Sequence, residues 1–115
     1  MFFTLSAYAR EYKQGEVLKF KVPNHQQTQG AHALIYHYQI VDIDTGRKLQ
    51  ADIYFDEELV GENKSAGTIT FPPVILKITP LEFRVKGYQP VILGVRHKLH
   101  RRHHQGIKLN LKKAL

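Results

Sequence analysis

Hydrophobic and polar residues alternate with a period of two along most of this chain, and that pattern predicts an all-β protein. Successive side chains of an extended strand face opposite sides, so a strand that covers a core carries an apolar residue at every second position. Lys48–Phe55 shows the alternation most clearly. No window keeps the i, i+3, i+4, i+7 spacing of an amphipathic helix for long.

Several segments carry enough of this pattern to be predicted as strands, and turn residues separate them at regular spacing. Short strands in such a succession are typical of an antiparallel β-sandwich and not of alternating strands and helices. Phe2–Ala9 and Glu58–Val60 carry less of the pattern, and we expect seven or eight strands in total. The main predicted strands are Glu16–Val22, Ala31–Ile43, Lys48–Phe55, Thr68–Phe71, Leu81–Lys86, Val91–Lys98 and Ile107–Leu111.

Turn-forming residues predict how two of these strands are connected. The D-T-G sequence at 44–46 predicts a hairpin between Ala31–Ile43 and Lys48–Phe55, because Asp caps its own backbone and Gly adopts positive φ. Pro72 and Pro73 cannot donate to a strand ladder, so we expect the chain to bend there. The 115 residues contain no internal repeat or linker, which predicts a single domain over residues 1–115.

Three motifs follow one another between Val41 and Val91: V-D-I-D-T-G-R-K-L-Q-A-D-I-Y-F, then G-T-I-T-F, then L-E-F-R-V-K-G-Y-Q-P. In this order the chain resembles the carboxypeptidase regulatory-like, transthyretin-like (prealbumin-like) sandwich modules. The resemblance implies a transthyretin-like Greek-key sandwich. Its positions encode turns and core and carry no catalytic residue. They are Asp42, Thr45, Gly46, Ala51, Ile53, Gly67, Phe71, Gly87, Tyr88 and Pro90.

Composition removes several classes of protein. There is no cysteine, which excludes disulfides, thiolate nucleophiles and iron–sulfur clusters. No apolar run approaches the roughly 18 residues that a membrane helix needs, and the start of the chain lacks the basic region of a signal peptide. We therefore expect a soluble, cytoplasmic protein that has no contact with a membrane.

Charge is distributed unevenly along the chain. All 10 acidic residues lie at or before Glu82, and seven of them fall between Asp42 and Glu62. From Phe83 onward the chain has nine Lys and Arg residues and no acid, within a formal net charge of +7. The C-terminal third is therefore a cationic block, and it can attract an anionic partner or the acidic part of the chain itself.

The basic block predicts an anion-binding surface. Arginine presents a planar fork to carboxylate or phosphate, and lysine adds point charge. The first candidate partner is an acidic protein surface, which includes the Asp56–Glu58 loop of another copy in a homo-oligomer. The alternative is weakly sequence-specific nucleic-acid binding, because few aromatic residues accompany the basic stretch to stack bases. The predicted binding residues are Arg96, Lys98, Arg101, Arg102 and Lys108.

Four histidines accompany these cations and raise the question of a metal site. His97, His100, His103 and His104 are the candidates, since imidazole binds zinc, copper and nickel. The four neighbouring Lys and Arg side chains oppose the binding of a divalent cation, so the preferred interpretation is a solvated loop without metal. We expect no cofactor.

Catalysis is not the preferred hypothesis for this chain, and we assign no catalytic residue. Ser6 and Ser65 have no His and carboxylate placed near them in the sequence to form a triad. Hydroxyisourate hydrolase, an enzyme branch of the resembled fold, carries a C-terminal Y-R-G-S signature, whereas this chain ends in N-L-K-K-A-L. A small hydrolase or a metal-dependent protein is the remaining alternative.

Overall fold

The computed structural model describes residues 15–20, 34–98 and 103–114, and these residues form eight strands and no helix. The all-β prediction is confirmed, whereas the predicted strand Phe2–Ala9 lies outside the described residues. The strands are β1 Gly15–Phe20, β2 Leu34–Asp42, β3 Ala51–Phe55, β4 Glu58–Lys64, β5 Ala66–Phe71, β6 Val74–Arg84, β7 Val91–Lys98 and β8 His103–Leu111.

The strands form two four-stranded sheets that enclose one hydrophobic core. Sheet 1 has the order β1-β8-β2-β5, and sheet 2 has the order β4-β3-β6-β7. Both contribute every second residue to the core, as the alternating pattern predicts. The fully or nearly fully buried side chains include Ile40, Phe71, Ile107, Leu109 and Leu111 of sheet 1 and Ile53, Leu81, Phe83, Val91 and Val95 of sheet 2.

One strand pair departs from the predicted antiparallel arrangement. β2 and β8 run parallel in the middle of sheet 1, with Leu34 opposite His103 and Asp42 opposite Leu111. The other strand pairs in the described part of the chain are antiparallel. A parallel pair requires a long connection between its strands, and here that connection contains β3, β4, β6 and β7 of the opposite sheet as well as β5 of sheet 1.

The chain crosses between the sheets where the sequence contains turns. The predicted hairpin between β2 and β3 is wrong, because the two strands belong to different sheets. After the single bridge Val41–Lys48 the chain leaves sheet 1, and β3 pairs with β6 in sheet 2. A second crossing takes place at Ser65, between β4 and β5. The third takes place at Pro72 and Pro73, so the expected bend there carries the chain from sheet 1 to sheet 2.

Two strands begin well before their predicted starts. β6 begins at Val74 and passes through Pro80, although Pro has no N–H to donate to a ladder. The ladder with β3 ends next to Pro80, at Leu81, and the Pro80 carbonyl accepts the Asp56 N–H at 2.9 Å. β8 begins at His103, inside the stretch that was predicted to be a loop, because it extends along β2.

Asp42 is the buried charged residue of the described chain and lies at the end of β2. Its Oδ1 accepts the N–H groups of Asp44 and Thr45 at 2.8 and 2.9 Å, which closes the turn, and its Oδ2 accepts the Tyr88 hydroxyl. These hydrogen bonds, that from Tyr88 above all, lower the pKa of Asp42 to about 2. Gly46 in the same turn and Gly87 beside Tyr88 have φ values of 73° and 83°.

Candidate anion-binding surface

The described part of the predicted basic site lies on two different strands. Arg96 and Lys98 belong to β7, and Lys108 belongs to β8. Arg101 and Arg102 lie outside the described residues. The structure therefore gives the positions of three of the five predicted binding residues, two on β7 and one on β8.

Arg96 and Lys98 face outward from sheet 2. Val91, Leu93 and Val95 are buried in the core, so the alternation of the strand turns Arg96 and Lys98 to the opposite, exposed face. β7 is also the last described strand on its side of sheet 2. These two cations consequently lie on the outer face of sheet 2 and on its edge strand.

Lys108 faces outward from the other sheet. It lies between the buried residues Ile107 and Leu109, so it points away from the core on the outer face of sheet 1, where it is half-buried between its register partners Leu18 and Gln39. The two sheets present their outer faces on opposite sides of the sandwich. Lys108 therefore does not share a face with Arg96 and Lys98.

The surroundings of Arg96 add a further cation and two exposed apolar side chains. In the ladder between β6 and β7, Ile75 pairs with His97 and Thr79 pairs with Val95, so residues 76–78 bulge opposite Arg96 alone. Lys77 in this bulge is exposed, and Leu76 and Val74 are 69% and 44% exposed. We call residues 74–79 and 95–98 the β6–β7 ribbon.

The β6–β7 ribbon extends beyond the other strands of sheet 2. β3 pairs with β6 only from Leu81 to Arg84, so no described strand flanks residues 74–79 on the β3 side. The β7 side of the ribbon is likewise free of any described strand. The three cations of the ribbon are thus presented on a two-stranded projection.

Arg84 of sheet 2, unlike the cations of the ribbon, is neutralised by an ion pair. Its Nε and Nη2 donate to the two carboxylate oxygens of Glu82 at 2.6 and 3.1 Å, and its guanidinium carbon lies 4.2 Å from the centre of the Tyr54 ring. The pairing with Glu82 raises the pKa of Arg84. Within the described residues this is the one ion pair, so the cations of the ribbon have no described carboxylate as a partner.

The histidines proposed as metal ligands do not converge where the structure describes them. His97 lies in sheet 2, and its Nε2 is 2.6 Å from the carbonyl oxygen of Pro72. His103 and His104 are neighbours on β8 and therefore face opposite sides of sheet 1. His100 lies outside the described residues. No group of three or more His, Asp or Glu in residues 15–20, 34–98 and 103–114 is arranged to hold a metal ion.

A histidine pair that the sequence did not indicate lies on the outer face of sheet 1. Nε2 of His37 is 2.8 Å from Nδ1 of His104, and the two rings stack with centroids 5.1 Å apart. The parallel register places Gly106 of β8 opposite His37. Because sequence patterns do not reveal which strands are paired in parallel, nothing in the sequence singled out these two residues together.

Comparisons with known proteins give no relative from which a function could be inferred. No family model, curated protein or solved structure matches the chain. The described residues also include no helix with the length and apolar character that crossing a membrane requires.

Proposed function

We propose that the protein is a noncatalytic binding module that holds an anionic partner on its β6–β7 ribbon. The observation that carries the proposal is the exposure of Arg96 and Lys98 on an edge strand without any described carboxylate as an ion-pair partner. Arg101 and Arg102 come three and four residues after the end of β7 in the sequence, and they remain predicted binding residues in this proposal. The resemblance to carboxypeptidase regulatory-like modules and the cytoplasmic location are parts of this proposal.

The chemistry of the ribbon favours an acidic protein surface over other anions. Exposed charges attract a partner over distance, but a few screened ion pairs contribute little affinity by themselves. Leu76 and Val74 lie beside the cations and add apolar area, which supplies most of the binding energy at protein interfaces. A partner that offers carboxylates around an apolar patch fits both features.

Nucleic acid is the second candidate and is less well supported. Phosphate contacts would use the same cations, but the β6–β7 ribbon contains no Phe, Tyr or Trp side chain on which a base could stack. Binding there would depend on charge alone and would weaken steeply with salt.

The test compares binding of the full chain to poly-L-glutamate and to a single-stranded oligonucleotide. We expect the double variant Arg96→Glu with Lys98→Glu to bind poly-L-glutamate roughly tenfold more weakly than the wild type, because two attractions become repulsions. The matched control is Arg47→Glu with Lys48→Glu, which makes the same change in net charge in the exposed turn before β3. Equal losses in both variants would contradict the assignment of the site to the ribbon.

Salt separates the two candidate partners. Binding of an oligonucleotide should fall log-linearly with salt concentration if phosphate contacts dominate. Tighter binding to the oligonucleotide than to poly-L-glutamate at 0.15 M salt would favour the nucleic-acid function instead.

A further inference from the structure

A cleft opens between the two sheets on the side where β1 and β7 are the outer strands. Its volume is about 320 Å³, and it is lined by Val17 and Lys19 of β1, Tyr36 of β2, and Leu93 and Gly94 of β7. Two twisted sheets that pack face to face diverge toward their corners, which leaves room for such a gap. The volume falls at the lower end of the range for small-molecule sites, roughly 300–1,000 Å³. We call this gap the β1–β7 cleft.

The walls of the β1–β7 cleft are mainly apolar and are held in place by the core. Leu93 and Tyr36 belong to the buried core, with only 4% and 6% of their surfaces exposed. The Tyr36 ring packs edge-on against Phe71 with centroids 5.1 Å apart, so a second aromatic side chain fixes its position. Val17 packs against the same core from β1. A ligand in the cleft therefore meets a preformed apolar surface.

Lys19 is the charged residue of the cleft, and it occupies an unusual place in its strand. Its register partner on β8 is the fully buried Ile107, and alternation places Lys19 on the core-facing side of β1 together with Val17. An apolar residue is expected at such a position. Lys19 is instead exposed, and within the described residues it forms no ion pair. A lysine here can lay its methylene stem along the apolar walls and keep its ammonium group at the open side of the cleft.

We propose that the β1–β7 cleft binds a small amphipathic carboxylate, with the apolar chain between the sheets and the carboxylate on Lys19. One ammonium group matches one negative charge, and the described lining holds no arginine fork of the kind that binds phosphate in two places. Burial of the chain against Val17, Tyr36 and Leu93 supplies affinity that a single screened ion pair does not. The site is separate from the β6–β7 ribbon, because the β7 cations of the ribbon face outward from sheet 2 whereas the cleft lies between the sheets.

Isothermal titration calorimetry of the full chain with octanoate tests the proposal. Octanoate combines one carboxylate with a short apolar chain, and hexanoate has the same carboxylate with two methylene groups fewer. Each buried methylene group tightens binding by a factor of roughly three to four, so octanoate should bind about tenfold more tightly than hexanoate. Octylammonium, which has the same chain and the opposite charge, should bind roughly fivefold or more weakly than octanoate.

Amide chemical shifts locate the bound octanoate. In ¹⁵N–¹H correlation spectra of the full chain, we expect octanoate to shift the amide signals of Lys19 and Leu93, which line the cleft on opposite sheets. The amide signal of Lys64 on β4, at the far edge of sheet 2, should not move.

Lys19→Glu is the decisive variant, because reversal of the charge should reverse the ligand preference. We expect this variant to bind octylammonium roughly fivefold or more tightly than octanoate. The matched control is Lys64→Glu, which makes the same change in net charge at an exposed position outside the cleft and should keep the preference for octanoate.

Val17→Phe tests the apolar part of the cleft while it leaves Lys19 in place. The larger side chain fills the space of the ligand, so octanoate should bind roughly tenfold or more weakly. Val17→Ala keeps the cleft open and should retain octanoate binding within a few-fold of the wild type. Circular dichroism of each variant must show the wild-type β signal, which excludes unfolding as the cause of any loss.

Three results would each overturn the proposal: wild-type binding of octanoate no tighter than that of octylammonium, an unchanged ligand preference in Lys19→Glu, or amide shifts confined to residues away from the cleft. Lys19 would then serve only as an inward-pointing charge that keeps the β1 edge from pairing with another strand. The anion-binding function of the β6–β7 ribbon would stand in that case, because it is tested separately with poly-L-glutamate.

Discussion

The Tyr88 hydroxyl donates a hydrogen bond of 2.5 Å to Oδ2 of Asp42, and this contact joins the two sheets of the sandwich. Asp42 ends β2 in sheet 1, whereas Tyr88 lies in the turn between β6 and β7 of sheet 2. The carboxylate is only 2% exposed and accepts two backbone N–H groups as well. A buried charge is therefore compensated by three donors from the two halves of the fold.

Tyr88→Phe should destabilise the protein at neutral pH and reduce its sensitivity to acid. The pKa of Asp42 is lowered from 3.8 to about 2, so the stabilisation is complete above pH 4 and is lost as the pH falls toward 2. Without the Tyr88 hydroxyl the pKa lies closer to 3.8, and the loss over that range is smaller. Urea unfolding at pH 7, pH 4 and pH 2 measures the difference.

Asp42→Asn serves as the control for this prediction because it removes the titrating group. Its stability should show no drop between pH 4 and pH 2 that is due to residue 42. A drop in Tyr88→Phe as large as that in the wild type would show that the hydroxyl does not hold the pKa down.

Gly67→Ala should destabilise the sandwich by about 1–3 kcal/mol through overpacking. A Cβ at Gly67 would lie 2.8 Å from the hydroxyl oxygen of Tyr38, whose ring is 5% exposed and held in the core. Tyr38→Phe removes that oxygen, so Gly67→Ala should cost less in the Tyr38→Phe background. A double-mutant cycle by urea unfolding measures the coupling, and strictly additive effects would contradict the close contact.

Glu57→Gly should stabilise the protein by about 1 kcal/mol. Asp56 and Glu57 form the turn between β3 and β4 with φ values of 52° and 68°, a conformation that glycine adopts without steric cost. Glu57→Ala removes the same charge but retains a Cβ, so it is the matched control and should not gain this stability. Thermal unfolding distinguishes the two variants, and an equal gain in both would assign the effect to charge.

The pair His37–His104 should be coupled at pH 8 by about 0.5–1.5 kcal/mol, the usual contribution of a hydrogen bond. The contact at 2.8 Å needs one ring nitrogen without a proton. Once acid has protonated both rings, both nitrogens are donors and the rings repel each other, with Lys108 adding charge on the same face. A double-mutant cycle with His37→Phe and His104→Phe should therefore lose its favourable coupling at low pH; a constant coupling would be contrary evidence.

The sequence pattern predicted the core well because burial has a local signature. Alternation alone placed Leu49, Ala51 and Ile53 on one face of the predicted strand Lys48–Phe55, and the structure confirms that they are buried. It could not reveal the parallel pairing of β2 with β8, because the register of strands far apart in sequence leaves no local trace. The predicted strand began at Leu81, whereas β6 begins at Val74 and includes Pro80, whose missing N–H lies beyond the ladder with β3.

Sequence proximity was a poor guide to the shape of the candidate site. Arg96, Lys98 and Lys108 are near one another in the chain, which led to one predicted surface. Between them the chain passes from sheet 2 to sheet 1, and Lys108 faces the opposite side. Val74 and Leu76, which lie beside the cations, come from a segment that was not predicted to be a strand and were found only through the register of β6 with β7.

The parallel pair at the centre of sheet 1 has a consequence for how the protein is made. During synthesis β2 is made early, whereas β8, which lies between β2 and β1 in sheet 1, is the last of the eight described strands to be made. Until β8 has been made, β1 and β2 lack the strand that lies between them, and contacts so distant in sequence are slow to form. Sheet 1 is therefore completed only after β8 has been synthesised and has inserted between β1 and β2, which both precede it in the chain.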